Sequence, residues 1–203
     1  MPSTQSPSTY HFEEIQRLIR NRRSIFPVDY SDATVSRETV ELMLESANWA
    51  PNHGHTEPWH FVVFEKEGRE AFGLAHAELY RSETPAENFQ QKKYDKLKTR
   101  PTLCSYFIAI CMKRGDNPKI PEIEEIEAVA CAVQNMHLTA TALGVAGYWT
   151  SGGMTYHPKM KELLKLREED RCLGFFYVAK SDRQWPEGRR KSDWREKVEW
   201  RSV

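Results

Sequence analysis

The side chains best suited to chemistry in this chain fall in three short stretches. Arg22-Arg23-Ser24 sets two guanidinium groups beside a hydroxyl, and a guanidinium donates in a fixed fork that suits a phosphate. Two arginines at a helix end also complement the helix dipole, so on spacing alone solvated charges explain them as well. Between Trp49 and Trp59 the chain offers Asn52, His53, His55, Thr56 and Glu57. The histidines there could serve as a general base, as metal ligands or as ring-edge hydrogen-bond donors. A metal would lack its third and fourth ligands, because His60 belongs to the following strand and no carboxylate pair stands at ligand spacing. Ligand-contacting or structural histidines are the reading that is left. Gly152-Gly153 would let backbone N–H groups approach a flat ligand, since no side chain blocks them; a plain tight turn explains the pair equally.

Other chemistries lack their signatures. GxSxG, a Walker loop and a GxGxxG after a strand are absent, which removes support for that nucleophile, for phosphoryl transfer and for Rossmann-type dinucleotide binding. Glu122, Glu124, Glu125 and Glu127 read as a solvated acidic start to a helix. Arg189-Arg190-Lys191 lies among Trp185, Trp194 and Trp200, but a neutral chain without an aromatic-basic strand motif points away from nucleic acid.

These stretches need elements to hold them. Phe12, Ile15, Leu18 and Ile19 make an apolar stripe at helical spacing that ends at the arginine pair, and Pro27 turns the chain away. Ser36 is placed to cap a second helix with Val40, Met43, Leu44 and Ala47 on one face. Ala50-Pro51 stops that helix and opens the histidine loop. A strand is expected over 59–64, a helix over 68–80, and a mobile polar insert over 81–101. The continuous apolar run 103–112 predicts a strand buried on both faces. A long alanine-rich helix over 123–143, buried nearly all round, is closed by Gly144. Then come a strand over 145–150, a helix over 157–166 and a strand over 171–179. The segment from Ser181 is basic and aromatic without periodicity, so it must lie on something else or be disordered.

At 203 residues the chain can bury a real core, and it carries neither a repeat nor a domain linker. Residues 1–9 are expected to be a disordered tail and 10–203 a single domain. Lys+Arg and Asp+Glu both number 29, so no global field attracts nucleic acid or an anionic membrane. No apolar run approaches spanning length and no signal peptide is visible, so a soluble protein is expected. Cys104, Cys111, Cys131 and Cys172 lack ligand spacing and read as buried reduced thiols, which suits a cytoplasmic protein.

Taken in order, an early RRS, then APNHGHTEPWHF, a long alanine-rich helix ending in ALG, GYWTSGG and a basic C-terminal tail resemble the FMN-dependent nitroreductase family, closest to its small, minimal members. The similarity spans nearly all of the chain after Thr9. The resemblance implies an α+β fold with a mainly antiparallel central sheet flanked by helices, and a homodimer whose C-terminal tails are exchanged. It further implies FMN at the dimer interface, NADH or NADPH as hydride donor, and a small-molecule electron acceptor such as a nitroaromatic or quinone, used in ping-pong fashion. By position, Arg22, Arg23 and Ser24 would hold the FMN phosphate and ribityl chain, joined by Arg190 or Lys191. Trp49, Asn52 and His53 would contact the flavin or its ribityl chain, and Trp149, Thr150, Ser151, Gly152 and Gly153 would line the ring.

The chain departs from the family pattern at two places. Phe26 stands where many relatives carry a further arginine. His55-Thr56-Glu57 replaces an N-x-Q run, and a carboxylate at 57 removes two donors and adds a charge. These changes leave a second reading, a flavin-binding storage or sensing protein that NAD(P)H does not turn over.

Overall fold

The computed structural model describes residues 10–203. The expectation for the tail 1–9 lies outside the described residues.

Ten regular elements run in chain order: α1 (Phe12–Asn21), α2 (Arg37–Asn48), β1 (Trp59–Phe64), α3 (Glu67–Glu83), α4 (Gln91–Thr99), β2 (Tyr106–Met112), α5 (Glu122–Ala142), β3 (Ala146–Thr150), α6 (Pro158–Leu163) and β4 (Arg171–Ala179). The strands form one sheet in the order β1-β2-β4-β3, and every neighbouring pair is antiparallel. β2 sits centrally with all its residues buried, as its unbroken apolar run requires. Alternation along the strands divides the core in two. Ile108, Ile110, Met112, Phe176 and Val178 face α2 and α5, while Phe107, Ala109, Cys111, Phe175 and Tyr177 face α3 and α6. Helices therefore cover both faces of the sheet, as the α+β expectation has it.

Local signals explain the helix ends. Ser36 caps α2 by accepting from the Thr39 N–H. Gly144 follows α5 at φ 63°, a left-handed geometry that glycine adopts freely.

Two expectations are corrected and a third gains detail. The polar insert 81–101 is in part helical: α4 packs on α3, and Tyr94, Tyr80 and Ala77 are buried together against Phe89. Its aromatic residues form a small core of their own, with the Arg81 guanidinium 4.1 Å from the centre of the Tyr94 ring. Glu125 is not solvated but 1% exposed, where it pairs with the Arg114 guanidinium and accepts from the Gly115 N–H at 2.9 Å. A buried carboxylate persists because these donors replace water. Cys131 is exposed, on a face of α5 that the single chain leaves open; the other three thiols are buried.

Candidate functional site

The arginine pair leaves the end of α1 and is pinned from three directions. Ser24 bridges to Gly147 at the start of β3, and the Ile25 N–H donates to the Gly147 carbonyl at 3.1 Å. His137, buried on α5, donates from Nε2 to the Arg23 carbonyl at 2.8 Å. The C-terminal segment crosses above, where Trp185 donates its indole N–H to the Asn21 carbonyl at 2.6 Å.

The two guanidinium groups have different employment. Arg23 donates from Nε to the Pro186 carbonyl at 2.9 Å and from Nη1 to the carbonyls of Arg20 and Arg22, so it clasps the tail. Gly188 lies directly against this guanidinium, where an added Cβ would meet Arg23 Nη2 at 2.0 Å. Arg22 reaches His137 Nδ1 at 3.4 Å and has no carboxylate partner among the described residues. Burial, then Arg23 and then Arg190, lowers its affinity for a proton, which places the Arg190 charge in the same neighbourhood. Arg190 is likewise without a carboxylate partner among the described residues, and its own Nη1 donates to the Arg189 carbonyl. Ser24 and Lys191, neighbours in sequence of Arg23 and Arg190, are exposed. Clustered cations that lack counter-charges suit a dianionic phosphate.

His137 was not singled out from sequence. Its only signal is a polar side chain at an inward position of an apolar helix, four residues after the buried Val133. Its environment holds it neutral: burial first, and the Arg22 charge second, lower its pKa to about 4.

The histidine loop is a separate wall. Trp49 ends α2 and is 80% exposed. Asn52 closes the loop by accepting the Glu57 N–H on Oδ1 at 3.2 Å, which leaves its amide nitrogen for other partners. His53 Nδ1 contacts Glu124 Oε2 at 2.5 Å, so the acidic start of α5 orients this ring. Gly54, His55 and Glu57 all have positive φ, at 62°, 53° and 43°. Non-glycine residues in that region carry strain, and the tight winding turns the His55 and Glu57 side chains into solvent.

The glycine turn closes the third wall. Thr150 ends β3, Ser151 and Gly152 are exposed, and Gly153 sits at φ 74°. A Cβ at Gly153 would meet His76 Nε2 and Leu97 Cδ2 at 2.6 Å, so the turn is moulded onto α3 and α4. His76 accepts the Met154 N–H on Nε2 at 2.9 Å, and burial together with Lys93 lowers its pKa to about 4. No sequence pattern drew attention to His76. Trp149 packs on the core and donates to the Leu173 carbonyl at 3.2 Å, so it shapes this wall rather than offering a donor.

Within one chain these walls do not all converge. The arginine cluster and the glycine turn lie at opposite ends of β3. The histidine loop touches α5 at Glu124 and the arginine segment touches it at His137, about 20 Å apart along the helix at 1.5 Å per residue. No cluster of His, Cys, Asp and Glu able to hold a metal occurs among the described residues.

The model of the Nitroreductase family matches residues 19–180. The chain belongs to the nitroreductase family. Among curated relatives of this nitroreductase-family chain, "Putative NAD(P)H nitroreductase YdjA" of Escherichia coli (strain K12) is 32% identical over 162 residues, covering 80% of this chain and 85% of that protein. Among solved structures, a nitroreductase-like family protein from Bacillus cereus is 27% identical, with TM-score 0.79 and full coverage of both chains. A protein from Desulfovibrio desulfuricans described as "a putative nitroreductase in complex with fmn" shares the fold at TM-score 0.69 and 23% identity, covering 98% of this chain and 99% of that one. The fold and family implied by the ordered motifs therefore hold. No helix among the described residues is long and apolar enough to cross a membrane.

Proposed function

We propose that this chain binds FMN and transfers reducing equivalents from NADH or NADPH to a small nitroaromatic, quinone or similar acceptor. The observation that carries this reading is the Arg22 and Arg190 cluster, set without carboxylate partners at the end of α1 on a nitroreductase fold. A phosphomonoester supplies the missing counter-charge. The FMN complex of the Desulfovibrio relative and the NAD(P)H in the name of the Escherichia coli relative support the same assignment.

FMN, when bound, supplies the redox chemistry between the nicotinamide donor and the acceptor. The chain's own residues bind and orient it. Arg22 and Arg190 hold the phosphate, with Lys191 and the Ser24 hydroxyl beside them, while Arg23 keeps the tail in place above. Asn52 and His53 offer donors from the histidine loop, and the backbone of Thr150 to Gly153 lines the ring. Backbone N–H groups there favour negative charge on a neighbouring ring without exchanging protons. Donor and acceptor use this one place in turn, which gives ping-pong kinetics.

The site is completed by a second copy. The histidine loop and the arginine segment meet α5 about 20 Å apart in one chain, and antiparallel packing of two α5 helices brings the histidine loop of one to the arginines of the other. α1 supports this arrangement, because it buries none of its own residues while Phe12, Ile15 and Ile19 lie exposed on its apolar stripe. Trp194 and Trp200 of the tail, 56% and 82% exposed, would be covered by a partner in this arrangement. Four unpaired cysteines accord with a reducing cytoplasm.

The deciding experiment is an absorbance spectrum of the purified protein before and after anaerobic NADH or NADPH. A yellow protein that bleaches carries the proposal. Bound flavin that neither donor reduces favours the storage or sensing reading, which the altered His55 and Glu57 motivate. Protein that takes up no FMN refutes both.

A further inference from the structure

A small pocket opens beside the glycine turn on the α3/α4 side of the sheet, with a volume of ≈ 120 Å³. Its floor is aromatic, made by Phe107, Phe175 and Tyr177, with Leu97 at one side. That is roughly the size of a cavity that takes a single benzene ring. Thr150, Gly152 and Gly153 form its edge, so it adjoins the segment assigned above to the flavin ring.

The remaining wall is basic. Lys93, Lys96 and Arg100 line it from α4 and the turn that follows, and no aspartate or glutamate is among its residues. Positions 93, 96 and 100 recur at helical spacing, so the three cations fall on one face. The Lys93 ammonium lies over the Tyr80 ring, 4.5 Å from its centre. Among the described residues, Lys96 and Arg100 form no ion pair within 4.0 Å. Elsewhere on this neutral chain, exposed basic side chains such as Arg37, Arg81 and Lys159 do find carboxylates. His76 adds no charge, because its buried ring is held neutral and accepts the Met154 N–H. Two cations without carboxylate partners beside an aromatic floor favour a planar ring that carries an anionic group.

We propose that the electron acceptors preferred by this protein are single-ring aromatic or quinoid compounds bearing a carboxylate or a similar anion, with the ring on Phe107, Phe175 and Tyr177 and the anion on Lys96 and Arg100. The inference rests on the flavin reading for the acceptor's role, but not for anion binding itself. A phosphate of the nicotinamide donor offers the same anionic chemistry. The pocket's size favours the ring-bearing acceptor over a dinucleotide.

The test is calorimetric binding of 4-nitrobenzoate and nitrobenzene to the FMN-loaded protein and to its Lys96→Gln and Arg100→Gln variants. The expected result is about tenfold tighter binding of 4-nitrobenzoate, weakening as salt is raised. Each variant should remove most of that preference while leaving the nitrobenzene Kd and the FMN affinity unchanged. Equal affinity for the two probes overturns the proposal. So does a pair of variants that changes the NADPH-to-NADH preference but leaves 4-nitrobenzoate binding untouched, since the cations would then serve the donor. If the protein takes up no FMN, the flavin reading fails by itself, and the same titrations on flavin-free protein still decide the anion preference.

Discussion

His137 on α5 and Arg23 after α1 lie 114 residues apart in sequence, yet His137 Nε2 donates to the Arg23 carbonyl at 2.8 Å. The opposite ring nitrogen lies 3.4 Å from Arg22 Nη1. One buried neutral imidazole thus fixes the backbone of the arginine pair and sets the direction of its free guanidinium. With Nε2 donating, Nδ1 is left to accept, so protonation of the ring would set a cation directly against Arg22.

Replacing Arg22 with alanine should weaken FMN binding by about 10- to 100-fold, the worth of one charge-assisted hydrogen-bond donor to phosphate. Hydride transfer in fully loaded enzyme should change far less. Flavin fluorescence titration gives the first quantity and stopped-flow reduction by NAD(P)H the second. Equal FMN affinity in variant and parent would contradict the phosphate assignment.

Stability should fall on acidification between about pH 6.5 and pH 4. His76 and His137 both have folded-state pKa values lowered to about 4 from 6.5, in each case by burial first. The unfolded chain therefore binds more protons in that window, and the neutral rings stabilise the fold fully only above it. Each contributes up to roughly 3 kcal/mol by this linkage. Urea midpoints measured across the range should decline toward acid, and His137→Gln should flatten part of the decline. A parent whose midpoint does not change from pH 7 to pH 4 would rule the linkage out.

Gly147→Ala should destabilise the fold by about 1–3 kcal/mol, the usual cost of overpacking a core. An added Cβ would meet Phe176 Cζ at 2.6 Å and His137 Cδ2 at 3.0 Å. Because Gly147 also holds Ser24 and Ile25, FMN affinity should drop together with the denaturation midpoint. Gly68→Ala, where an added Cβ meets nothing within 4 Å, serves as the control and should leave FMN affinity unaltered.

Much of this molecule could be read in order along the chain. The strand bounds 59–64 and 171–179 coincide with those observed, because apolar runs flanked by breakers leave few alternatives. The helix expected over 123–143 is off by one residue at each end. The RRS segment, the proline-stopped histidine loop and the glycine turn were visible as local chemistry, and their order along the chain pointed to the family.

Only the tertiary structure decided how those pieces are used. It separated Arg23, a clasp on the tail, from Arg22, a free cation, although the two are neighbours with identical side chains. It turned Glu125 inward while Glu124 next to it holds His53, and it folded the polar insert into α4 with a basic face over an aromatic floor. It also brought in His76 and His137, which no motif marked. Hydrophobic period and turn chemistry act between near neighbours, so they fix which face of an element is buried. What a buried polar group meets there depends on segments from 10 to 114 residues away, as Glu125, His76 and His137 show, and only the packed chain brings them together.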